Sequence, residues 1–533
     1  MSLANAPVPP APEPGPAPVP ASPSARSAPP PPSGPTIPAA AAEPVAAVDR
    51  AWLRMDEPAN LMQINGVLVL DQPVAVERIK AIVRRRLLPI PRFRQRVVAG
   101  PGGQPRWEED PGFDLDRHVK SAALPGPGDD AALAAIVGEL MGTPLPSDRP
   151  LWEFRLLQPY RGGCALVARI HHAIGDGVAL MLVLLSLTDL EPNGPPTVRP
   201  LPDEPLAEEA PQAAAVPGPA AAPQPPETSE PPEAPGANPF TDLFCHPLRD
   251  LAKVRALADE VSPELMRLLH APVEALRRAP LLAGIGGAGA FARLVARPAD
   301  PKTPFKGPLG VPKRVAWSEP LALDQVKEIG RALGGTVNDV LVTAAAGGLR
   351  RYLAHRGETR RRLDIRAAMP VNLRPLGRMS QLGNHFGLVF LSLPLGIGDP
   401  LARLAELRRR SAALRRSAEA PVVLLILRAI GRVPLAVQRL VVRIFATKAT
   451  LVMTNVPGPN RTLYLAGKAI RDIFFWVPQS GRVGLGVSIL SYRGTVRLGV
   501  GTDAGLVPDP EAIVSGFHAE LDELLRLARR RPA

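Results

Sequence analysis

The chain is predicted to fold as two mixed α/β blocks, and three observations carry that expectation. Its 533 residues exceed what one ordinary core holds. Two proline-rich stretches, 1–44 and 191–239, hold 32 of its 67 prolines and set apart blocks of roughly 45–190 and 240–530. Both blocks mix alternating apolar runs, the mark of strands, with apolar residues at helical spacing.

Residues 1–44 are almost wholly Pro, Ala, Ser and Gly, too poor in apolar side chains to offset ordering entropy, and are expected to be a disordered tail. In the first block, Leu61–Leu70 alternates as a strand and Cys164–Ile170 is a continuous apolar strand. Val74–Leu88 and Asp130–Met141 carry helical periodicity, the second opened by the turn residues Gly128 and Asp129. Residues 191–239 repeat the tail's composition with eight acids against Arg199, which predicts a disordered acidic linker. Residues 240–310 are expected to form a helical crossover, with Leu251, Val254, Leu257 and Val261 at helical spacing. In the last block, 311–530, Asp324–Leu333 and Val337–His355 are predicted helices. Leu388–Leu393, Leu451–Thr454, Val483–Ser491 and Val496–Gly501 are predicted strands.

Bulk composition excludes several classes. With only Cys164 and Cys245 there is no disulfide framework and no cysteine-built zinc site, as a reducing compartment would suit. The opening residues have no basic segment followed by an apolar one, and the longest apolar runs fall short of a membrane span. The expectation is a cytoplasmic protein in peripheral contact with membrane or lipid droplets. A net charge of +13 is concentrated in 401–450, where eleven Lys or Arg face only Glu406 and Glu419. Arg408, Arg409, Arg410, Arg415, Arg416, Arg428, Arg432, Arg439 and Arg443 alternate there with Leu and Val faces, which fits an interfacial helix pair docking on anionic lipid. Aromatic residues make up 4% of the chain and no stacking platform is evident, which disfavours nucleic acid.

The segment that carries chemistry is Arg169-Ile170-His171-His172-Ala173-Ile174-Gly175-Asp176-Gly177, directly after an apolar strand. A neutral imidazole held at a strand end is suited to removing a hydroxyl proton near neutral pH. The same residues also read as a strand end with Asp176 capping the next helix. A metal site is disfavoured, since the other histidines nearest in sequence, His118 and His246, have no zinc spacing. Cys164 begins an apolar strand with no base beside it and reads as a core residue rather than a nucleophile.

This segment resembles the HHxxxDG motif of the coenzyme A-dependent acyltransferases, and further segments narrow the resemblance to the wax ester synthase/diacylglycerol acyltransferase family. They are Asp148-Arg149-Pro150-Leu151-Trp152-Glu153, the 303–310 segment TPFKGPLG, Asn338-Asp339-Val340, the 369–374 segment MPVNLR, Gly383-Asn384-His385-Phe386-Gly387 and the 454–459 segment TNVPGP. They follow the family's order across roughly 45–525. Lys306 departs from it, standing where a small polar residue such as Asn is expected.

The resemblance implies two chloramphenicol-acetyltransferase-like α/β domains with the reaction centre in a channel between them. It also implies direct acyl transfer from acyl-CoA, a co-substrate with no bound cofactor, to diacylglycerol or a long-chain alcohol, giving triacylglycerol or wax ester. His172 is the expected base and His171 the alternative. Asp176 is expected to lock the loop by pairing with a cation, Arg374 or Arg169, with Gly177 completing the motif. Asn338, Asp339, Thr454 and Asn455 are candidates for substrate contact, although Asn338 and Asp339 also fit a helix cap and Thr454 and Asn455 a turn. A specialised lipid or metabolite acceptor, and a non-catalytic lipid-binding or droplet protein that keeps the fold, are the competing readings.

Overall fold

The computed structural model describes residues 42–192, 294, 296–373, 382–417, 419–479 and 481–530. The tail to residue 41, the linker from 193, nearly all of the 240–296 helical bridge, Cys245, His246 and Arg374 lie outside the described residues.

The first block runs β1 (Glu43–Pro44), α1 (Ala47–Met55), β2 (Gln63–Leu70), α2 (Val76–Arg86), β3 (Gln95–Ala99), β4 (Pro105–Glu109), β5 (Val119–Ala123), α3 (Asp130–Gly142), β6 (Trp152–Tyr160), β7 (Gly163–His171) and α4 (Gly177–Ser186). The second begins with β8 (Lys313–Trp317), β9 (Leu321–Ala322), α5 (Leu323–Leu333), α6 (Val337–His355), β10 (Asp364–Asn372) and β11 (Phe386–Pro394). Three consecutive helices follow, α7 (Pro400–Arg415), α8 (Glu419–Ile430) and α9 (Leu435–Thr447). The chain then returns through β12 (Leu451–Pro457), β13 (Tyr464–Leu465), β14 (Lys468–Trp476), β15 (Leu485–Tyr492) and β16 (Thr495–Asp503) to the long helix α10 (Pro510–Arg530).

Two large sheets organise these elements, and both mix parallel with antiparallel pairs. The first has the order β13-β14-β2-β7-β6-β5, and the second runs β11-β10-β12-β15-β16-β8 with β9 beside β16. β1, β4 and β3 form a small third sheet, so ordered structure begins at Glu43, inside the stretch expected to be tail. β7 is buried along its whole length because it is central and covered, which is why it reads as an unbroken apolar run. Leu133, Val137 and Leu140 of α3 pack on Val67, Val69 and Val167 of the first sheet. In the second sheet, Val340, Ala344 and Leu349 of α6 share a core with Leu451, Val487 and Leu498, which Phe517, Leu521 and Leu524 of α10 join.

The sheets do not follow the sequence blocks at one point. β14 belongs to the second block but pairs antiparallel with β2, Trp476 opposite Asn65 and Phe474 opposite Val67. Its Phe474 and Trp476 enter the core of the first sheet beside Val315 of β8. Lys313 ties the same region together, since its Nζ bonds the Ala59 carbonyl at 2.7 Å and the buried Asp503 carboxylate at 2.9 Å. The end of β7, and the histidine pair on it, is thereby held against residues of the second block.

Candidate active site

His171 is the last residue of β7, opposite Gln63 of β2, and His172 follows with its N–H donated to the Met62 carbonyl at 2.7 Å. Adjacent residues of an extended chain face opposite ways, and the two rings have different surroundings. The His171 ring is used on both sides. Its Nδ1 accepts the Ala173 N–H at 3.0 Å, so the proton sits on Nε2, which donates to Asp56 Oδ2 at 3.1 Å.

The His172 ring is held differently. Its Nδ1 lies 2.8 Å from Oδ1 of Asn384, a residue 212 positions away. The Asn384 amide is oriented by its other end, where Nδ2 donates to the His172 carbonyl at 2.8 Å and to Asp49 Oδ1 at 2.8 Å. Both of those partners are acceptors, so Oδ1 faces the imidazole and Nδ1 must carry the ring proton. Nε2 is left with its lone pair and makes no hydrogen bond with a described residue. Trp52 stacks on the ring at 4.3 Å and 17°, and Phe386 lies beside both, 5.4 Å from the imidazole and 5.6 Å from Trp52. Burial pushes the His172 pKa down to about 4, against the opposing pull of Asp176, so the ring is neutral at neutral pH. Asp49 is pushed up to about 6 by its own burial, which outweighs the Asn384 hydrogen bond.

Asp176 performs a local task and a long-range one. Oδ1 caps α4 by accepting the Ala179 N–H at 2.9 Å, and Oδ2 accepts the His385 N–H at 3.0 Å. Its own N–H bonds the Gly383 carbonyl, while the Gly383 N–H returns to Ile174, forming a short parallel bridge between Gly175 and Gly383. Gly383 has φ +108, a conformation side chains rarely adopt, which suits glycine at this crossing. Replacing Asp176 by Ala removes the cap and strands a part-buried N–H, with an expected stability loss of about 2 kcal/mol readable in urea unfolding. Gly177 is the first residue of α4 with open space at its Cβ position.

Arg169 is not among the partners of Asp176 and serves elsewhere. It is buried, bonds Gln63 Oε1 at 3.2 Å and pairs with Glu153, the last residue of the 148–153 segment, at 3.4 Å. Asp339 closes a capping box with Thr336 at the start of α6, which is the helix-cap reading of that residue. Asn338 beside it accepts from Asn455 Nδ2 at 3.1 Å, so the α6 start and β12 meet, and Thr454 is buried next to Asn455. Cys164 is buried with its thiol pushed up to about 11 by burial and donates to the Gln72 carbonyl, unlike a nucleophile. Lys306 bonds the Thr447 and Ala449 carbonyls at the end of α9, a C-terminal cation supporting that helix. His118 is bonded to the Trp152 carbonyl and stacked on its ring, and no metal-binding group occurs among the described residues.

Asn384, Asp49 and Trp52 were not singled out by sequence. Asn384 stands inside the 383–387 segment, but nothing in that segment indicates that its partner is a histidine in the other block. Asp49 and Trp52 share one face of α1 at i, i+3 spacing, a signal indistinguishable from an ordinary amphipathic helix.

Two mixed sheets meeting over a strand-end histidine pair define the two-domain, chloramphenicol-acetyltransferase-like fold class. Residues 45–341 match the wax ester synthase/diacylglycerol acyltransferase catalytic domain, and residues 382–525 match that family's C-terminal domain. The chain belongs to this family and is an acyltransferase of it. A protein of Mycobacterium tuberculosis strain H37Rv provisionally named a diacylglycerol O-acyltransferase is 31% identical over 84% of this chain and 88% of its own. The solved wax ester synthase/diacylglycerol acyltransferase of Marinobacter aquaeolei VT8 superposes with a TM-score of 0.61 at 21% identity, covering 91% of this chain and all of that one. The first condensation domain of the calcium-dependent antibiotic synthetase shares the fold, with a TM-score of 0.53 at 15% identity over 92% of this chain and 97% of that one.

Proposed function

We propose that this chain transfers a fatty acyl group from acyl-CoA directly to a lipid hydroxyl, diacylglycerol or a long-chain alcohol, with His172 as general base. The observation that carries this reading is the bond from His172 Nδ1 to Asn384 Oδ1, which leaves Nε2 as the bare nitrogen. Nε2 takes the acceptor's hydroxyl proton as its oxygen attacks the thioester carbonyl. The tetrahedral intermediate then collapses, and the departing thiolate takes that proton back from the imidazolium as free CoA. Asn384 and Asp49 fix the tautomer, Trp52 holds the ring plane, and Asp176 fixes the loop to the 383–385 segment. Excluding water from the reacting groups and aligning them supplies much of the acceleration. His171, closed on both nitrogens, is the less suited base.

Asn338, Asn455 and Thr454 belong to this proposal as substrate-side groups, with the Asp339 cap fixing Asn338. The 45–190 and 311–530 blocks act as the two catalytic lobes, the first completed by β14, with tail, acidic linker and crossover connecting them. The acceptor is presented at a lipid surface, membrane or droplet. No described helix is long and apolar enough to cross a membrane.

The acceptor is tested by supplying palmitoyl-CoA with hexadecanol or dioleoylglycerol and resolving the products. Wax ester or triacylglycerol supports the reading, and hydrolysis to free acid as the sole product contradicts it. The pH profile tests the base. The active form is the neutral imidazole, so a folded pKa of about 4 keeps the base available as pH falls through the ordinary histidine value. The acid limb of kcat/KM is therefore expected below about 6.5, and a limb centred at or above that value contradicts this state of His172.

A further inference from the structure

The face of α1 turned away from His172 carries unpaired charge. Arg50 and Arg54 line a cavity of about 400 Å³ together with Leu53, Asp56, Leu151 and His171. Asp56 is engaged, accepting from His171 Nε2 and from the Met62 N–H. Arg50 bonds Gln104 through Nη1 while its Nε is buried with no partner. Burial first, then the charges of Arg54 and Arg432, push the Arg50 guanidinium below its ordinary value. Arg54 donates to the Val433 carbonyl, so the cavity rim reaches the α8–α9 link that carries Arg432. No described carboxylate forms an ion pair with any of these three arginines.

That link joins two helices with an unusual exterior. Six large hydrophobic residues are exposed among those described, and five lie here: Leu425 at 57%, Leu435 at 38%, Val437 at 45%, Leu440 at 57% and Ile444 at 43%. Arg428, Arg432, Arg439 and Arg443 are exposed between them, and none is ion-paired with a described residue. In α7, by contrast, Arg403, Arg409 and Arg410 are consumed by Glu520, Glu406 and Asp364. Among the described residues the +9 stretch thus divides into arginines paired with an acid and arginines that no described acid neutralises. An apolar face framed by arginines that no described acid neutralises complements a bilayer whose surface is anionic and whose interior is hydrocarbon.

The hairpin is also fastened to the helix that supports the base. Gln438 Nε2 bonds the Ala51 carbonyl at 2.8 Å, and Gly431 lies so close that an added Cβ would fall 1.6 Å from the Ala47 carbonyl. The cavity, the hairpin and α1 therefore form one packed unit.

We propose that the α8–α9 hairpin seats on a phospholipid bilayer and that Arg50, Arg54 and Arg432 take the phosphate of an anionic lipid headgroup at the cavity mouth. This rests on the reading of an enzyme that meets its acceptor at a lipid surface. The full chain is sedimented with vesicles of phosphatidylcholine alone or with phosphatidylglycerol added. The variants are Arg50→Gln/Arg54→Gln, Leu440→Asp/Ile444→Asp, and Arg415→Gln/Arg416→Gln as an equal-charge control from the end of α7. Wild type is expected to bind the anionic vesicles. The Arg50/Arg54 pair should weaken that binding about 10- to 30-fold, and the control pair by clearly less. The apolar pair should abolish retention at raised salt. Equal losses from the control pair would overturn the headgroup site, and full binding by the apolar pair would overturn the hairpin's role. Inorganic phosphate at matched ionic strength should leave vesicle binding intact. Release by phosphate as complete as in the Arg50/Arg54 variant would make this a free-phosphate site and sink the lipid assignment. Transfer from palmitoyl-CoA to hexadecanol in detergent micelles is measured in parallel and should be equal in wild type and the Arg50/Arg54 pair. Loss of transfer in both, with vesicle binding kept, would fault the proposed reaction and not the docking.

Discussion

His172→Ala is expected to lower kcat by roughly 100- to 10,000-fold, the range for removal of a general acid or base. The residue is 7% exposed, walled by Trp52 and Phe386, and only its side chain is lost. Its backbone bonds to Met62 and Asn384 remain available, so the variant should fold and give an unchanged circular dichroism spectrum. The measurement is CoA release from palmitoyl-CoA at saturating acceptor. Retention of more than about a tenth of wild-type kcat would place proton removal elsewhere. His171→Gln is the informative companion. Glutamine has both an acceptor and a donor to replace the bonds to Ala173 and Asp56, so it should cost far less than loss of His172.

Asn384→Leu is expected to cost about 100-fold in kcat, because a ring free to adopt the other tautomer or to tilt loses the alignment on which transfer depends. The substitution also strips the His172 carbonyl and Asp49 of their donor, and buried acceptors left unsatisfied lower stability by about 1–3 kcal/mol. Asn384→Asp separates the two effects. A carboxylate can still accept from Nδ1, but it would face Asp49, so one of the two acids must take a proton. Activity above that of the Leu variant is expected to return as pH falls, beginning above the wild-type Asp49 value of about 6, because the variant loses the Asn384 hydrogen bond that lowers it and gains a like charge beside it. A flat ratio between the two variants across pH would contradict the positioning role.

The fold was legible where a pattern is local. β7 announced itself as an apolar run, and the periodicity of Val337–His355 marks α6 to the residue. The cap at Asp176 was readable as well, from an acid just before an apolar helix. β14 was not. It slips register at a bulge between Ile470 and Asp472, which breaks the alternation, and its partner β2 is some four hundred residues away, beyond anything spacing conveys. One of the two cations expected for Asp176 shows the same limit, while the other, Arg374, lies outside the described residues. Arg169 was plausible by proximity in sequence, yet it faces Glu153 and Gln63, while Asp176 reaches the His385 N–H of the other block. Sequence named the histidine and the loop. The groups that set the histidine's tautomer come from α1 and the 383–387 segment, and only the fold brings them together.

The basic stretch was visible as composition but not as two populations. Arg403 is 1% exposed and paired with Glu520, whereas Arg432 stands in the open link between α8 and α9. The charge run is the same in sequence, and what separates its members is whether an acid of α7, α10 or β10 lies within reach.

The most direct test of His172 as the base of a direct transfer is rapid-quench measurement of CoA release from palmitoyl-CoA, with and without hexadecanol, in wild type and His172→Ala. Release is expected only when the acceptor is present, in step with wax ester, with near-absence of both in the variant. A burst of CoA without acceptor, stoichiometric with enzyme, would mean an acyl-enzyme and would contradict direct transfer.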